Sequence, residues 1–127
     1  HNLVLVTIRK RYPGHARKVM HALWGMGQMM FAKVIVVLDA EVDVRSYPQV
    51  ALYALNHIDP SRDFEHAKGQ MDVLDHASVL CGYGGKVGID ATKKWKDEGF
   101  ERGWPDPIVM DDATKKRVEK LCGELGL

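Results

Sequence analysis

The stretch Val34-Ile-Val-Val-Leu38, together with the helical repeat that follows it, decides the fold class. All five residues are apolar and four are β-branched, which is typical of a strand buried on both faces. Further along the chain, apolar residues recur three and four positions apart and predict an amphipathic helix. These residues are Tyr47, Val50, Ala51, Ala54, Leu55 and Ile58. A buried strand followed by such a helix indicates an α/β protein.

The same alternation of strand and helix continues on both sides of this pair. In Leu3–Ile8, apolar residues stand at both odd and even positions, as expected of a strand that is covered on both faces. A helical pattern then runs from about residue 15 to residue 26, with apolar positions at Ala16, Val19, Met20, Leu23 and Trp24. Two shorter stretches, Asp63–Ala67 and Lys86–Ile89, are predicted as further strands. This order predicts a parallel or mixed sheet with right-handed βαβ crossovers and helices on its faces.

The last third of the chain is less regular. Residues 69–107 are rich in Gly and Pro, which predicts an irregular segment. Asp111 or Asp112 can cap a final helix, whose narrow apolar stripe consists of Val118, Leu121, Cys122 and Leu125. Because the flanks of this stripe are charged, the helix either lies on a surface or docks onto something outside the chain.

Composition and charge exclude several classes of protein. The chain has 127 residues, of which 46% are hydrophobic and 28% charged, which excludes a disordered tail, a fibre and a low-complexity linker. The formal net charge is +1, so bulk electrostatics favour neither nucleic acid nor an anionic membrane as a partner. No apolar run approaches the ~20 residues that span a bilayer. Cys81 and Cys122 are too few for a disulfide framework and suit the reducing cytoplasm.

A basic turn follows the first predicted strand. Residues 9–18 carry five formal positive charges beside the predicted N-terminus of a helix, whose free N–H groups attract anions. One interpretation is a phosphate or carboxylate site built from Arg9, Arg11, His15 and Arg17. The other is a solvated basic rim around a turn, because no Gly-x-Gly-x-x-Gly or P-loop spacing is present.

His57 and Tyr53 lie off the predicted apolar stripe of the second helix, so we expect them to face solvent or another domain. A histidine there can titrate near neutrality and transfer a proton, although an exposed histidine often has no such role. Other acidic and histidine side chains gather between residues 57 and 76 without a recognisable metal-ligand spacing. Asp59 and Asp63 flank a proline, which favours turn chemistry over a metal site.

Several segments, taken in order, resemble the C-terminal domain of UbiD-type decarboxylases. They are Arg11-Tyr-Pro-Gly-His-Ala-Arg-Lys-Val19, Trp24-Gly-Met-Gly-Gln-Met-Met30, Val36-Val-Leu-Asp39 with Asp43, Asp59-Pro-Ser-Arg-Asp63, Asp72-Val-Leu-Asp-His-Ala-Ser78, and Gly88-Ile-Asp-Ala-Thr-Lys-Lys-Trp95 followed by Glu98-Gly-Phe100. The ordered set runs from about residue 2 to residue 107. The chain departs from the usual pattern at Trp95-Lys-Asp-Glu98, where a proline often follows the tryptophan, and this affects only the local turn.

The resemblance implies an enzyme that reversibly decarboxylates aromatic or α,β-unsaturated carboxylic acids, as in ubiquinone and menaquinone biosynthesis. Such enzymes use prenylated flavin mononucleotide (FMN), held with a divalent metal (Mn or Mg) and potassium. An upstream domain of the same polypeptide carries these groups, so no catalytic, cofactor-binding or metal-binding residue is assigned to this chain. The abrupt start of the apolar strand at Leu3, without an initiator Met, likewise predicts a piece of a longer polypeptide. The isolated chain is expected to bind no cofactor and to be inactive.

The resemblance also implies a C-terminal domain that closes over the cofactor, lines part of the substrate pocket and helps to assemble dimers or hexamers. Tyr12, His15, Tyr53 and His57 become candidate pocket residues for a small aromatic carboxylic acid. Residues 1–107 form the predicted core, and residues 108–127 a C-terminal helix that acts as a latch on a neighbouring subunit. Two alternatives remain. One is a free-standing α/β module that binds an anion or small ligand at residues 9–18, and the other is an RNA-binding domain.

Overall fold

A computed structural model describes residues 2–126 and shows a mixed sheet with helices on both of its faces. Four strands lie in this described part: β1 (Leu3–Ile8), β2 (Val34–Asp39), β3 (Phe64–Gln70) and β4 (Tyr83–Ala91). The same residues form the helices α1 (His15–Trp24), α2 (Tyr47–His57) and α3 (Asp112–Leu125), and the short 3₁₀ helices Gly27–Phe31 and Lys96–Glu98. The predicted α/β class and the C-terminal helix are therefore confirmed.

The strands lie in the order β1-β2-β4-β3, with β1, β2 and β4 parallel and β3 antiparallel at one edge. Val36 of β2 pairs with Leu5 of β1 on one side and with Ile89 of β4 on the other. The carboxyl ends of the three parallel strands consequently meet at the same edge of the sheet. The residues that follow these strands come together there.

Helix α1 covers one face of the sheet. Ala16 and Met20, both from the predicted stripe, are buried against Ile35 and Val37 of β2. Gly88 of β4 permits this close approach, because a Cβ atom at that position would overlap the sulfur of Met20. The predicted apolar stripe of this helix is confirmed.

Helix α2 covers the other face, and the periodicity predicts its buried side only in part, since Val50, Ala54 and Ile58 of the predicted stripe pack on the sheet. Its packed side chains, Val50, Tyr53 and Ala54, lie in one cluster with Val36, Leu38 and Ala91 of the sheet. Tyr47 and Leu55, which belong to the predicted stripe, are 71% and 72% exposed. The helix contains no charged residue and is apolar on nearly every side. The spacing of its apolar residues therefore does not decide which side is buried.

Strands β3 and β4 are longer than the predicted stretches Asp63–Ala67 and Lys86–Ile89. Gly69 pairs with Gly84 in the antiparallel ladder, so glycines that favour a turn in the sequence belong to the strands themselves. The left-handed backbone expected of a turn lies at Gly82, just before β4, where φ is +75°.

Helix α3 begins after Asp111, one of the two predicted caps, whose carboxylate accepts a hydrogen bond from the N–H of Thr114 at 2.8 Å. Its described residues are exposed except for Cys122, which is half-buried. Ile108 and Val109, in the segment before the helix, are exposed as well. Neither α3 nor any other helix in the described part of the chain is long and apolar enough to cross a membrane.

Candidate functional site

The carboxyl edge of the parallel strands is where open α/β sheets bind their ligands. In this protein the chain itself fills that edge. Residues 92–104, here named the edge segment, follow β4 and are hydrogen-bonded to the residues at the ends of β1 and β2. Ion pairs, hydrogen bonds and aromatic contacts hold this segment in place.

The Lys94 side chain is the centre of a buried ionic cluster, and only 3% of it is exposed. Its Nζ atom donates hydrogen bonds to the carbonyl oxygens of Asp90 at 2.8 Å and Thr92 at 2.6 Å. The carboxylates of Asp63 and Asp90 lie 3.4 Å and 3.2 Å from the same atom. A buried charge is costly unless it is paired and hydrogen-bonded. These oxygens therefore determine where Lys94 lies.

Asp63 joins this cluster to the turn between α2 and β3. Arg62 donates to its two carboxylate oxygens at 2.8 Å and 2.7 Å, and the N–H of Asp59 donates to it at 2.7 Å. Burial alone raises the pKa of Asp63, but these hydrogen bonds and the Lys94 ammonium outweigh burial and hold the pKa below its ordinary value. Asp59 in turn accepts a hydrogen bond from the N–H of Ser61 at 2.9 Å. The prediction of turn chemistry for Asp59 and Asp63 is confirmed.

Lys10 ties the end of β1 to the edge segment, and only 3% of its side chain is exposed. Its ammonium donates to the carbonyl oxygen of Lys93 at 2.9 Å and to the carboxylate of Glu98. The same ammonium lies 5.2 Å from the centre of the Trp95 ring. Glu98 also accepts a hydrogen bond from the N–H of Trp95 at 2.8 Å, which closes the turn where the chain departs from the usual family pattern.

Asp39 and His57 meet at the end of β2. Asp39 accepts a hydrogen bond from the N–H of Lys93 at 2.7 Å, and its Oδ2 atom lies 3.9 Å from Nδ1 of His57. Burial raises the pKa of Asp39 and lowers the pKa of His57. Only 7% of His57 is exposed, so the prediction that it faces solvent or another domain is wrong. The end of α2 lies against β4, where the carbonyl oxygen of Ala91 is 3.1 Å from the imidazole.

Tyr53 is also packed inward, and with Trp104 it flanks the imidazole of His57. The centres of these two rings lie 5.6 Å and 4.7 Å from that of His57. The indole N–H of Trp104 donates to the carbonyl oxygen of Lys94 at 2.8 Å, and Phe100 stacks on Trp104 with ring centres 4.5 Å apart. Sequence reasoning missed this aromatic group, because nothing in an irregular segment indicates which helix it contacts.

The basic turn leads into α1. Gly14 has φ +77°, a left-handed conformation that favours glycine, and no side chain caps the helix that follows. The rings of Tyr12 and His15 stack with their centres 4.5 Å apart. The Nδ1 atom of His15 is buried and has no hydrogen-bond partner within residues 2–126. The structure thus joins two of the four predicted pocket residues at the turn, and the other two, Tyr53 and His57, form a separate pair.

The three arginines of the predicted anion site have different surroundings. Arg17 donates to the carbonyl oxygen of Arg62 at 3.0 Å and lies 3.4 Å from the carboxylate of Glu65. Arg9 and Arg11 are exposed, and their side chains make no ion pair or hydrogen bond with the rest of the described chain. Arg9 and Arg11 are therefore open to an anion from solution, whereas Arg17 already has partners inside the domain.

Within the described chain, no three His, Cys, Asp or Glu side chains are grouped so as to hold a metal ion. The carboxylates near the edge pair instead with lysine, arginine or backbone N–H groups. Two features near these elements present exposed side chains. One is the Tyr12–His15 turn, and the other is the α2 outer surface, defined by Tyr47, Leu52 and Leu55.

Comparison with known proteins assigns this α/β domain to a family. The family model for the 3-octaprenyl-4-hydroxybenzoate carboxy-lyase C-terminal domain (UbiD_C) matches residues 1–91. An uncharacterized protein of Aquifex aeolicus is 48% identical to this chain over 127 residues. An uncharacterized protein of Archaeoglobus fulgidus is 45% identical to it over 126 residues. The chain therefore belongs to the UbiD carboxy-lyase family, and its sequence is that of the family's C-terminal domain.

Solved structures of UbiD-class decarboxylases share the fold. The vanillic acid decarboxylase of Sedimentibacter hydroxybenzoicus in open form matches with a TM-score of 0.78 and 26% identity, over 98% of this chain and 26% of that chain. HmfF of Pelotomaculum thermopropionicum, a UbiD-class enzyme in complex with FMN, matches with a TM-score of 0.67 and 25% identity, over 89% of this chain and 24% of that chain. An evolved dimeric form of HmfF in complex with prFMN (prenylated FMN) matches with a TM-score of 0.55 and 25% identity. This match covers 80% of this chain and 20% of that chain.

This chain is much shorter than the proteins that it matches. The A. aeolicus and A. fulgidus relatives are each covered over 26% of their length, along 100% and 98% of this chain. The chain therefore spans about a quarter of the length of these relatives. The resemblance predicted from the sequence motifs is confirmed at the level of family and fold.

Proposed function

We propose that this chain is the lid and assembly domain of a decarboxylase that uses prenylated FMN to (de)carboxylate an aromatic or α,β-unsaturated carboxylic acid. The observation that carries this proposal is the filled carboxyl edge. Lys10, Lys94 and Trp104 occupy the place where an open α/β sheet would receive a ligand. We infer that the flavin, a divalent metal and potassium are held by an upstream domain of the same polypeptide. The flavin complexes of HmfF, a much longer relative, support this inference.

A lid favours decarboxylation by excluding water. A carboxylate that leaves as neutral carbon dioxide gains when the surroundings become less polar. The α2 outer surface suits this role, because its three large apolar side chains are exposed and the helix carries no charge. Closed over a substrate, such a surface removes water, and its shape helps to select which acid fits.

Tyr12 and His15 are the residues that we propose at the substrate pocket. Their rings are stacked, and the buried Nδ1 atom of His15 has no hydrogen-bond partner within the described residues. The exposed Arg9 and Arg11 nearby in the sequence attract a carboxylate. Tyr53 and His57 do not carry this proposal, because they pack inside the domain.

We propose the segment 108–127 as the latch that joins subunits into a dimer or hexamer. Three apolar side chains of the α3 stripe are exposed, namely Val118, Leu121 and Leu125, and Ile108 in the segment before the helix is exposed as well. A helix of 14 residues is only marginally stable alone in water, so packing onto a second copy would stabilise it. The two cysteines of the chain are free thiols, which supports placing the enzyme in the reducing cytoplasm.

The proposal is tested with the complete polypeptide that contains this chain, supplied with prenylated FMN, Mn²⁺ and K⁺, and with the 127-residue chain given the same additions. Only the complete polypeptide should release carbon dioxide from an aromatic acid. His15→Asn should lower its kcat/KM while the flavin absorbance stays unchanged. His76→Asn, which alters an exposed histidine elsewhere, is the matched control and should have no effect. Turnover by the 127-residue chain alone would refute the assignment.

A free-standing anion-binding module is the second candidate function. The observation in its favour is that Arg9 and Arg11 are exposed beside the uncapped N-terminus of α1. Calorimetry with phosphate, nucleotides and aromatic carboxylates tests it. Micromolar binding that Arg11→Ala abolishes, and that Arg45→Ala leaves intact, supports this candidate. An absence of binding by all three ligand classes removes it.

A further inference from the structure

Helix α2 leaves part of its own face of the sheet uncovered. Val36 and Leu38, towards the carboxyl end of β2, are buried beneath this helix. Towards the amino edge, where the parallel strands begin, Val34 and its partner Val87 are only half-buried, and Gly85 is exposed. A Cβ atom on Gly85 would meet no atom of the described chain within 4 Å, so the space above it is open. This uncovered floor of Val34, Gly85 and Val87 is here named the amino groove.

The loop 71–82, between β3 and β4, forms an apolar wall beside the amino groove. Val79 and Leu80 of this loop and Tyr83 of β4 line, with Gly85, a cavity of about 560 Å³. The three side chains are 99%, 61% and 46% exposed. Large apolar side chains that gather around one cavity in this way mark an interaction site.

Asp75 holds this loop against the start of β2. Its carboxylate accepts hydrogen bonds from the ammonium of Lys33 at 2.9 Å and from the hydroxyl of Ser78 at 2.6 Å. The wall is therefore in place before a partner binds. Lys33 is paired with Asp75, whereas Lys68, which lines the same cavity, is exposed and makes no ion pair with another described residue. A segment that fits the groove is expected to combine apolar side chains with a carboxylate.

The polypeptide enters the sheet beside the amino groove. The carbonyl oxygen of Asn2 accepts a hydrogen bond from the N–H of Val34 at 2.8 Å, and Leu3, Val34 and Val87 lie in one row across three strands. Neighbouring strands are ~4.8 Å apart, so Val87 is about 10 Å from Leu3, a distance that about three extended residues span. The relatives are covered over only 26% of their length, and the matching family model is that of a C-terminal domain. We therefore expect upstream residues at this point.

We propose that the amino groove is the docking site of the upstream part of the same polypeptide, which places apolar side chains between the sheet and the loop 71–82 and a carboxylate beside Lys68. This inference rests on the proposed function, because the upstream domain belongs to that proposal. Docking removes Val79, Leu80 and Tyr83 from water, which is favourable for apolar surface. It ties the lid to its neighbour at the amino edge, opposite to the Tyr12–His15 turn that we propose at the substrate pocket.

Photocrosslinking in the complete polypeptide tests this proposal. The photoreactive amino acid benzoylphenylalanine replaces Val79, whose side chain is 99% exposed and so contributes almost nothing to packing within the domain. Irradiation should join position 79 to a peptide upstream of residue 1, identified by mass spectrometry, in a product that runs as a single polypeptide on a denaturing gel. This first result needs no further substitution.

Gly85→Leu, added to the photoreactive protein, should block the groove. Its Cβ meets nothing in the domain and Gly85 does not have a positive φ, so the substitution is tolerated by the fold. Overpacking the occupied groove should lower the yield of the crosslinked product roughly tenfold. Gly103→Leu is the matched control, because a Cβ there also meets nothing, and it should leave the yield unchanged.

Three results would overturn the proposal. They are a product of doubled mass, which would identify a second copy as the occupant, the absence of a crosslink to upstream residues, and a crosslink that Gly85→Leu leaves intact. The crosslink forms without flavin or substrate, so it is measured separately from turnover. A crosslink in a polypeptide that decarboxylates no acid rejects the proposed function alone, and turnover without a crosslink rejects only the docking site.

Discussion

Replacing Lys94 by Met removes the ammonium around which the edge segment is built. The buried carboxylates of Asp63 and Asp90 then lose a positive charge that lies 3.4 Å and 3.2 Å away. Removing one partner from a buried ion pair costs ~3–5 kcal/mol, because the other charge is left uncompensated. Arg62 remains paired with Asp63 at 2.7 Å. We therefore expect a loss near the lower end of that range, about 3 kcal/mol.

Urea unfolding at pH 7, followed by far-ultraviolet circular dichroism, measures this loss. A domain of this size is stable by ~5–15 kcal/mol, so the loss shifts the unfolding midpoint clearly. Lys96→Met is the matched control, since it makes the same substitution at an exposed lysine of the same segment, and it should change stability by less than ~0.5 kcal/mol.

The double variant Asp90→Asn with Lys94→Met separates the ionic effect from lost packing. If an unpaired carboxylate causes the instability, the double variant is more stable than Lys94→Met alone, even where the single variant is unfolded. A loss below ~1 kcal/mol for Lys94→Met, as for a surface pair, would refute this account of the cluster. Equal stability of the single and double variants would contradict it as well.

Substitutions at four further positions are expected to change stability, hydrogen exchange or assembly. Gly88→Ala should lower the Tm through a loss of ~1–3 kcal/mol, because the new Cβ overlaps Met20. Hydrogen bonds from a serine hydroxyl and a lysine ammonium lower the pKa of Asp75 from 3.8 to about 2. The stability that this carboxylate provides is therefore complete above 3.8 and is lost as the pH falls towards 2. Asp75→Asn should remove that part of the acid sensitivity in urea titrations from about pH 5 downwards. Asp111→Ala should speed hydrogen exchange in the first turn of α3, since the cap is lost. Leu121→Asp should reduce the molar mass of the assembly measured by sedimentation, because α3 is proposed to join subunits.

The elements predicted correctly are those whose sequence pattern allows one interpretation. Every residue from Val34 to Leu38 is apolar, so both faces of the strand are predicted to be covered. The strand β2 is indeed buried on both sides. The α1 stripe is flanked by Arg17, Lys18 and His21, so only one side of this helix can face the sheet. Helix α2 has no such polar flank. Val42, before the helix, and Ile58, at its end, pack in the same cluster as the inner side of α2.

The contacts that fill the carboxyl edge could not be predicted from local pattern. Lys10 and Glu98 are 88 positions apart, and His57 and Ala91 are 34 apart. Nothing in the spacing of either pair distinguishes it from other charged or polar residues of the chain. The burial of His57 could not be predicted for the same reason. The group that accepts a hydrogen bond from its imidazole is a backbone carbonyl, which any residue would supply.

The uncharged outer surface of α2 affects how the protein behaves in concentrated solution. The chain as a whole has a formal net charge of only +1, so its copies repel one another weakly near neutral pH. Exposed Leu52 and Leu55 then favour non-specific association. Preparations of this chain by itself are expected to precipitate as they are concentrated. A lysine in place of Leu55 should keep them clear, because that side chain lies outside the packed interior.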